Sequence, residues 1–302
     1  MKPAPFSFVR PATLQEALEA LAGEPEAKVL AGGQSLVPLL SMRLAAPTML
    51  VDINGLPDLD RVQVDEDGVR VGALARHADV LADPDVRRVQ PLVALALANV
   101  AHPTIRNRGT TVGSLVHGDA AAEMPAVLTL LDGSLEVAST TGRRMIPAAE
   151  LFAGALETTV RHDEIALEAF FPALAAGSGV AFCEIARRHG DYAMCGVAAI
   201  VARKDDRVVS ARAAYLSVAD VPTVVDLTDA LQGEVSEDTL ARAGEQALSG
   251  LDPAADLHAS AAYRSQLVRV LTARALRAAY ADAGERGTLE ESDKDHEAGG
   301  QR

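Results

Sequence analysis

The stretch that most constrains the fold is residues 28–42, KVLAGGQSLVPLLSM. A short apolar strand ends at Gly32-Gly33, and the leucines that follow recur with the spacing of a helix. Because glycine has no Cβ, a glycine pair lets the backbone turn sharply and lets another group approach it closely. The pattern therefore predicts a strand, a tight turn and a helix, an arrangement typical of α/β subdomains.

Two interpretations of Gly32-Gly33 are open from these residues alone. The first is a structural turn, in which Ser35 is the N-cap of the following helix. The second is an anion site, in which backbone amides and the partial positive charge of a helix N-terminus, roughly half a unit, bind a phosphate group. Neither G-x-G-x-x-G with a ribose-binding acid nor G-x-x-x-x-G-K-S/T occurs, which disfavours a Rossmann nicotinamide site and a P-loop.

A second glycine-containing loop, residues 106–114, has the sequence RNRGTTVGS. Its small side chains, hydroxyl groups and closely spaced amides fit the same kind of ligand. Arg106 and Arg108 either contact phosphate or form structural ion pairs, and the sequence leaves both roles open. Two glycine loops from different subdomains suit a long ligand with a diphosphate in its middle.

The composition narrows the class of protein. A formal net charge of −14 disfavours a nucleic-acid partner, because contact with phosphates needs a basic surface. The two cysteines have no metal-ligand spacing, so no metal site or iron–sulfur cluster is expected in this chain. No apolar run reaches the roughly 18 residues of a transmembrane helix. The N-terminus lacks the apolar segment of a signal peptide, so we expect a cytoplasmic protein.

The length of 302 residues predicts two or three compact units, at roughly 100 to 200 residues each. Residues 1–55 have the pattern of a βαβαβ subdomain, and residues 56–175 predict a second subdomain. After the small-residue segment PALAAGSG, residues 176–282 predict a separate α+β domain. Residues 283–302 carry very few apolar side chains and are predicted to be disordered.

Shorter signals predict the elements of these units. Turn residues between short strand-like segments predict hairpins at 62–71 and 135–146. In the third unit, antiparallel strands are followed by three stretches with helical patterns, at 227–232, 236–248 and about 260–281. A sheet covered by helices is therefore expected there.

Three separated segments resemble one known family. They are KVLAGGQSLVPLLSMR, RNRGTTVGSLVHGDAAAEMPAV and DLHASAAYRSQLVRVLTARAL. Together they resemble the FAD-binding medium subunit of the molybdenum hydroxylases, the xanthine dehydrogenase and carbon monoxide dehydrogenase family, from residue 6 to about residue 280. The resemblance implies an α+β fold, with a two-subdomain FAD-binding domain of the PCMH type. A C-terminal domain like that of the CO dehydrogenase flavoprotein follows, with an antiparallel sheet and helices.

The resemblance also implies the cofactor contacts. The two glycine loops hold the FAD diphosphate and neighbouring parts, Glu123 accepts hydrogen bonds from ribose or ribityl hydroxyls, and Tyr192 lies against the flavin ring. The implied cofactor-binding set is Ala31, Gly32, Gly33, Gln34, Ser35, Leu36, His102, Thr110, Thr111, Gly113, Ser114, Glu123 and Tyr192.

Some of these contacts have alternatives. Without the resemblance, Tyr192 is interpreted as a buried tyrosine at a strand end, and His102 and His117 as structural, hydrogen-bonded histidines. Val112 stands where many relatives have a glycine, in the motif T-I-G-G. Because a residue other than glycine orients its amide differently, Val112 is not predicted to contact the cofactor.

The function that the resemblance implies is electron transfer. Substrate is hydroxylated at a molybdopterin cofactor in a large subunit, 2Fe–2S clusters in a small subunit carry the electrons, and FAD in this chain passes them to an acceptor. We therefore expect no catalytic side chain here, and an assembly that is a dimer of heterotrimers. The substrate, and the choice of quinone, NAD or oxygen as acceptor, are not predicted. The alternatives are a self-contained flavoenzyme similar to UDP-N-acetylenolpyruvoylglucosamine reductase and a non-catalytic scaffold.

Overall fold

A computed structural model describes the backbone of residues 2–299 and the side chains of residues 2–286. The chain forms two compact units. The first comprises the residues up to 90 with 100–119 and 131–172, and the second comprises 91–99, 120–130 and the residues from 173 onward. Every helix in the described part of the chain is too short or too polar to cross a bilayer.

The first unit begins with a three-stranded parallel sheet. Its elements, in chain order, are β1 Ser7–Val9, α1 Leu14–Gly23, β2 Ala27–Leu30, α2 Leu36–Met42 and β3 Met49–Asp52. The strand order is β1-β3-β2, so β3 is central and buries Leu50 and Val51. The predicted βαβαβ pattern is confirmed. Because β2 and β3 are parallel and Leu30 pairs with Asp52, the first glycine loop and the residues after β3 leave the sheet at the same edge.

A five-stranded antiparallel sheet forms the rest of the first unit. Numbered along the whole chain, its elements are β4 Val62–Val64, β5 Gly68–Gly72, α3 His77–Ala82, α4 Pro84–Val89, α6 Pro103–Arg106, α7 Thr111–His117, β6 Ser134–Ser139, β7 Gly142–Pro147, α9 Ala148–Leu151, β8 Phe152–Gly154, β9 Glu157–Thr158 and β10 Ile165–Pro172. The strand order is β4-β5-β10-β6-β7, and β8 and β9 form a separate two-stranded sheet. Both predicted hairpins, β4-β5 and β6-β7, are present.

The second unit is a four-stranded antiparallel sheet with helices on both faces. Its elements are α5 Pro91–Leu97, α8 Glu123–Leu130, β11 Ser178–Ala186, β12 Ala193–Lys204, β13 Arg207–Leu216, β14 Thr223–Asp226, α10 Glu237–Ser249 and α11 Ala261–Gly299. Alternate side chains of a strand point to opposite faces. Val197 and Tyr215 belong to the core shared with α10 and α11, whereas Ala198 and Ala214 are buried on the face that α8 covers.

Two predictions for the second unit differ from the structure. The helix predicted at 227–232 is wrong, because only one turn of 3-10 helix, Asp229–Leu231, forms there. The chain enters that turn from β14, which ends at Asp226 and pairs with β13. The backbone of α11 continues to Gly299, although residues 283–302 were predicted to be disordered. The alanine-rich residues 275–282 just before that range, and the Arg286–Asp282 ion pair, favour continuation of the helix into its start. Residues 300–302 lie outside the described residues.

Candidate functional site

The first glycine loop occupies residues 31–35, between the end of β2 and the start of α2. Gly33 has φ +72, in the left-handed region that favours glycine. A Cβ at Gly32 would meet the backbone of the second loop, at the Arg108 carbonyl oxygen and 2.9 Å from the Gly109 Cα. The two loops are thus in direct backbone contact, and only glycine at residue 32 permits it.

The backbone amides of the first loop are unused. Within the described chain, the amides of Gly32, Gly33, Gln34 and Ser35 donate no hydrogen bond, and the next bonded amide is that of Val37, 3.0 Å from the Gly33 oxygen. Ser35 occupies the N-cap position of α2, but its side chain makes no capping hydrogen bond, so that expectation is wrong. Its backbone is helical, φ −97 and ψ −46, whereas a capping side chain normally needs an extended backbone.

The second loop is partly helical, which the sequence analysis did not predict. Thr110 is the N-cap of α7, and its hydroxyl oxygen accepts from the Gly113 amide at 3.1 Å. A Cβ at Gly113 would lie 2.5 Å from that oxygen, so the cap requires glycine there. The amides of Thr110 and Val112 donate no hydrogen bond within the described chain. The Val112 side chain is buried, so it does not cover the loop surface.

Asn54 and Arg76 connect the two loops. The Asn54 side-chain amide donates to the Ala31 oxygen at 2.8 Å, and the same amide donates to Asp52 at 2.6 Å. Arg76 Nη2 donates to the Asn54 side-chain oxygen at 2.8 Å, and Arg76 Nη1 donates to the Arg108 oxygen at 2.7 Å. Arg76 and Thr110 also form an antiparallel β-bridge. A continuous path of hydrogen bonds therefore runs from the first loop to the second.

His77 supports the second loop from below. Its backbone amide donates to the Gly109 oxygen at 3.0 Å, and its Nδ1 lies 3.2 Å from the Thr111 hydroxyl. Burial, with a smaller contribution from the charge of Arg106, lowers the pKa of His77 to about 4. The imidazole is therefore neutral at neutral pH, and both it and Thr111 are buried. A Cβ at Gly109 would lie 3.0 Å from the imidazole, so the ring and the loop are closely packed.

The structure separates the two arginines of the second loop. Arg106 donates to the carbonyl oxygens of Val100 and Ala101, at 2.8 and 3.0 Å, so its role is structural. The Arg108 side chain is exposed. His102 is the N-cap residue of α6 and is exposed, and His117 ends α7.

Two of the predicted contacts lie in the second unit. Glu123 is the first residue of α8 and is 8% exposed. Tyr192 lies between β11 and β12 and is 66% exposed, so its interpretation as a buried tyrosine is wrong. An exposed aromatic ring suits contact with a planar ligand.

The sequence analysis missed Glu184, on β11. Its Oε2 is buried and has no hydrogen-bond partner within the described chain. Burial, and then the charge of Glu123, raise the pKa of Glu184 to about 8. Glu184 is therefore mostly a neutral carboxylic acid at neutral pH. The available signal was one acidic residue within the otherwise apolar run VAFCEIA.

Comparison with known proteins assigns the family. Residues 4–174 match the model of the FAD binding domain in molybdopterin dehydrogenase, and residues 180–279 match that of the CO dehydrogenase flavoprotein C-terminal domain. The chain belongs to the FAD-binding subunits of the molybdopterin dehydrogenases. This confirms the resemblance found in the sequence, the α+β fold class and FAD as the cofactor.

Individual relatives align with this chain over almost their whole length. The 6-hydroxypseudooxynicotine dehydrogenase complex subunit alpha of Paenarthrobacter nicotinovorans is 40% identical over 281 residues, covering 91% of this chain and 95% of that protein. The carbon monoxide dehydrogenase medium chain of Hydrogenophaga pseudoflava is 32% identical, covering 93% and 99%. The crystal structure of quinoline 2-oxidoreductase from Pseudomonas putida 86 superimposes with a TM-score of 0.90 at 38% identity, covering 94% and 99%. The chain is therefore an oxidoreductase subunit.

The pKa of Glu184 predicts a pH-dependent stability. It is about 8 in the folded chain against an ordinary value of 4.5. The folded state thus holds the proton more tightly, and the free energy of unfolding falls as pH rises from about 4.5 to about 8. Glu184→Gln keeps a neutral side chain of the same size. We expect its Tm to match wild type near pH 5 and to exceed it by several degrees near pH 8.5. The exposed Glu66→Gln is the control, and a Tm difference for Glu184→Gln that is independent of pH would contradict the assignment.

Proposed function

We propose that this subunit receives electrons from iron–sulfur clusters in a small partner subunit and passes them through FAD to an external acceptor. In this proposal a large partner subunit carries molybdopterin and sets the substrate, and the assembly is a cytoplasmic dimer of heterotrimers. When bound, FAD supplies the electron-transfer chemistry, and this chain binds and orients it. The two family models that span the chain, and relatives that are themselves subunits, support this division of labour.

One observation carries the assignment of the cofactor site. The amides of Gly32, Gly33, Gln34 and Ser35 are unused in the described chain, and a loop with two further unused amides touches them. Consecutive free amides of this kind form a concave site for an anion. The diphosphate of FAD is the anion that fits. The side chains of Thr110 and Thr111 are already hydrogen bonded, so in this proposal the backbone of the second loop contacts the cofactor.

The remaining contacts are proposed on the family resemblance. Glu123 would accept from hydroxyls of the ribose or ribityl chain, Tyr192 would lie against the flavin ring, and His102 would be a further contact. Ala31, Leu36 and Ser114 complete the two loops. The proposed domain boundaries stay at residues 55, 175 and 282.

The comparisons favour a subunit over the alternative functions. The chain covers 95% and 99% of the two relatives described above, and both are named as parts of a larger enzyme. Within the described residues, no specific observation favours a self-contained flavoenzyme. The free amides of the glycine loops disfavour a scaffold that has lost its cofactor.

Co-expression with the partner subunits tests the assembly. We expect this chain to co-purify with a molybdopterin subunit and an iron–sulfur subunit, with about one FAD per copy, in a particle with the mass of two heterotrimers. Flavin content, metal content and mass by light scattering are the measurements. A flavin-loaded chain that purifies alone, even when all three subunits are expressed, would contradict the proposal.

Gly32→Ala tests the diphosphate site. The added methyl group would push the first loop away from the Arg108 and Gly109 backbone, and overpacking of this kind costs about 1–3 kcal/mol. We expect FAD affinity to fall about tenfold or more. Gly23→Ala is the matched control, because a Cβ there has no atom within 4 Å and should leave FAD binding unchanged.

Apo-protein Tm distinguishes a local effect from unfolding in this test. If Gly32→Ala binds FAD as tightly as wild type, the first loop is not the diphosphate site.

A further inference from the structure

Arg76 links the two glycine loops through side-chain hydrogen bonds, directly to the second loop and through Asn54 to the first. Through Nη1 it holds the Arg108 oxygen directly, and through Nη2 it holds Asn54, whose amide holds the Ala31 oxygen. The two acceptors lie on different chain segments. A guanidinium group presents its donors in a fixed planar fork, so it fixes the distance and angle between the two acceptors. An ammonium group has one nitrogen and cannot reproduce that fork.

The side chain of Arg76 forms no ion pair within the described residues. Both of its acceptors are neutral, and in the described part of the chain no carboxylate forms an ion pair with Arg76 or with Arg108. Asp79 and Asp60 act on Arg76 only at longer range. Burial and the neighbouring charge of Arg108 lower the pKa of Arg76. Keeping Arg76 charged in the folded chain is therefore unfavourable in free energy.

An anion bound beside the two loops would offset this unfavourable free energy. The unused amides of the first loop and the positive charge of Arg76 belong to the same pair of connected loops. A diphosphate carries the negative charge that balances two arginines, and interactions of charged groups strengthen in a partly buried setting.

We propose that Arg76 is a positioning residue for the cofactor, which sets the separation of the two glycine loops and supplies positive charge against which the FAD diphosphate is held. The inference rests on the proposed function of these loops. Asn54 is its partner, since it carries the connection from Arg76 to Ala31. Both residues lie outside the two loops that they join.

The test separates the effect of the planar guanidinium geometry of Arg76 from the effect of its positive charge. Arg76→Gln removes both, and Arg76→Lys keeps the charge but loses the fork. Arg87→Gln is the matched control, because Arg87 also donates to a neutral carbonyl, that of Leu81, but lies on α4. For each full-length chain, prepared free of flavin, the Kd for FAD and for ADP is measured at several salt concentrations, together with the Tm of the apo-protein.

We expect Arg76→Gln to weaken the binding of FAD and of ADP by the same factor, about tenfold or more, because both ligands contain the diphosphate. Its Kd should also depend less steeply on salt than that of wild type, because one cation has been removed. Arg76→Lys should weaken both ligands and keep the wild-type salt dependence. Asn54→Ala in the Arg76→Gln background should add little, because the two residues act through one connection.

Several results would overturn the inference. Unchanged FAD affinity in Arg76→Gln would do so, as would a loss of affinity with wild-type salt dependence and a matching fall in apo-protein Tm. If Arg76→Gln does not fold, Arg76→Lys decides: weaker binding at wild-type Tm supports the inference, and unchanged binding rejects it. If wild type itself binds neither FAD nor ADP, the proposed function fails, which is a different outcome.

Discussion

The contact between the backbones of two glycine loops is the constraint on which the candidate site depends. At residue 32 a single methyl group would strike the second loop, so this contact exists only because the Cβ is missing. The contact brings a run of amides that donate no hydrogen bond within the described residues together with a second loop that has such amides of its own. Buried or half-buried backbone amides are normally hydrogen bonded, so a cluster without partners indicates a ligand that supplies them.

The architecture of the first unit places these loops. Parallel pairing of β2 with β3 brings the end of β2, and Asn54 just after β3, to one edge of the small sheet. The bridge between Arg76 and Thr110 ties the second loop to the chain that follows β5. A neutral His77 then fills the space beneath Gly109 and Thr111. Each loop is therefore held by hydrogen bonds from elements outside it, which fixes the positions of the loop backbones.

The sequence predicted local features well and long-range contacts poorly. The sequence predicts the turn at Gly32-Gly33 and the helix that follows, because each pattern lies within a few neighbouring residues. The sequence does not predict why residue 32 must be glycine, because Arg108 and Gly109 contact it only in the folded chain. Asn54 and Arg76 are 22 residues apart and share no motif, so nothing in the sequence connects them. The capping prediction for Ser35 is wrong because a serine before a helix often caps it, whereas the helical backbone angles of Ser35 prevent its side chain from doing so.

Hydrogen–deuterium exchange of the full-length chain, with and without FAD, tests the central claim most directly. If the unused amides are the ligand donors, FAD should slow exchange in peptides that cover residues 31–36 and 109–114. Peptides from α1 and α4 should change little, because their amides are already hydrogen bonded in helices. FAD bound at about one per chain without protection in either glycine loop would contradict the account.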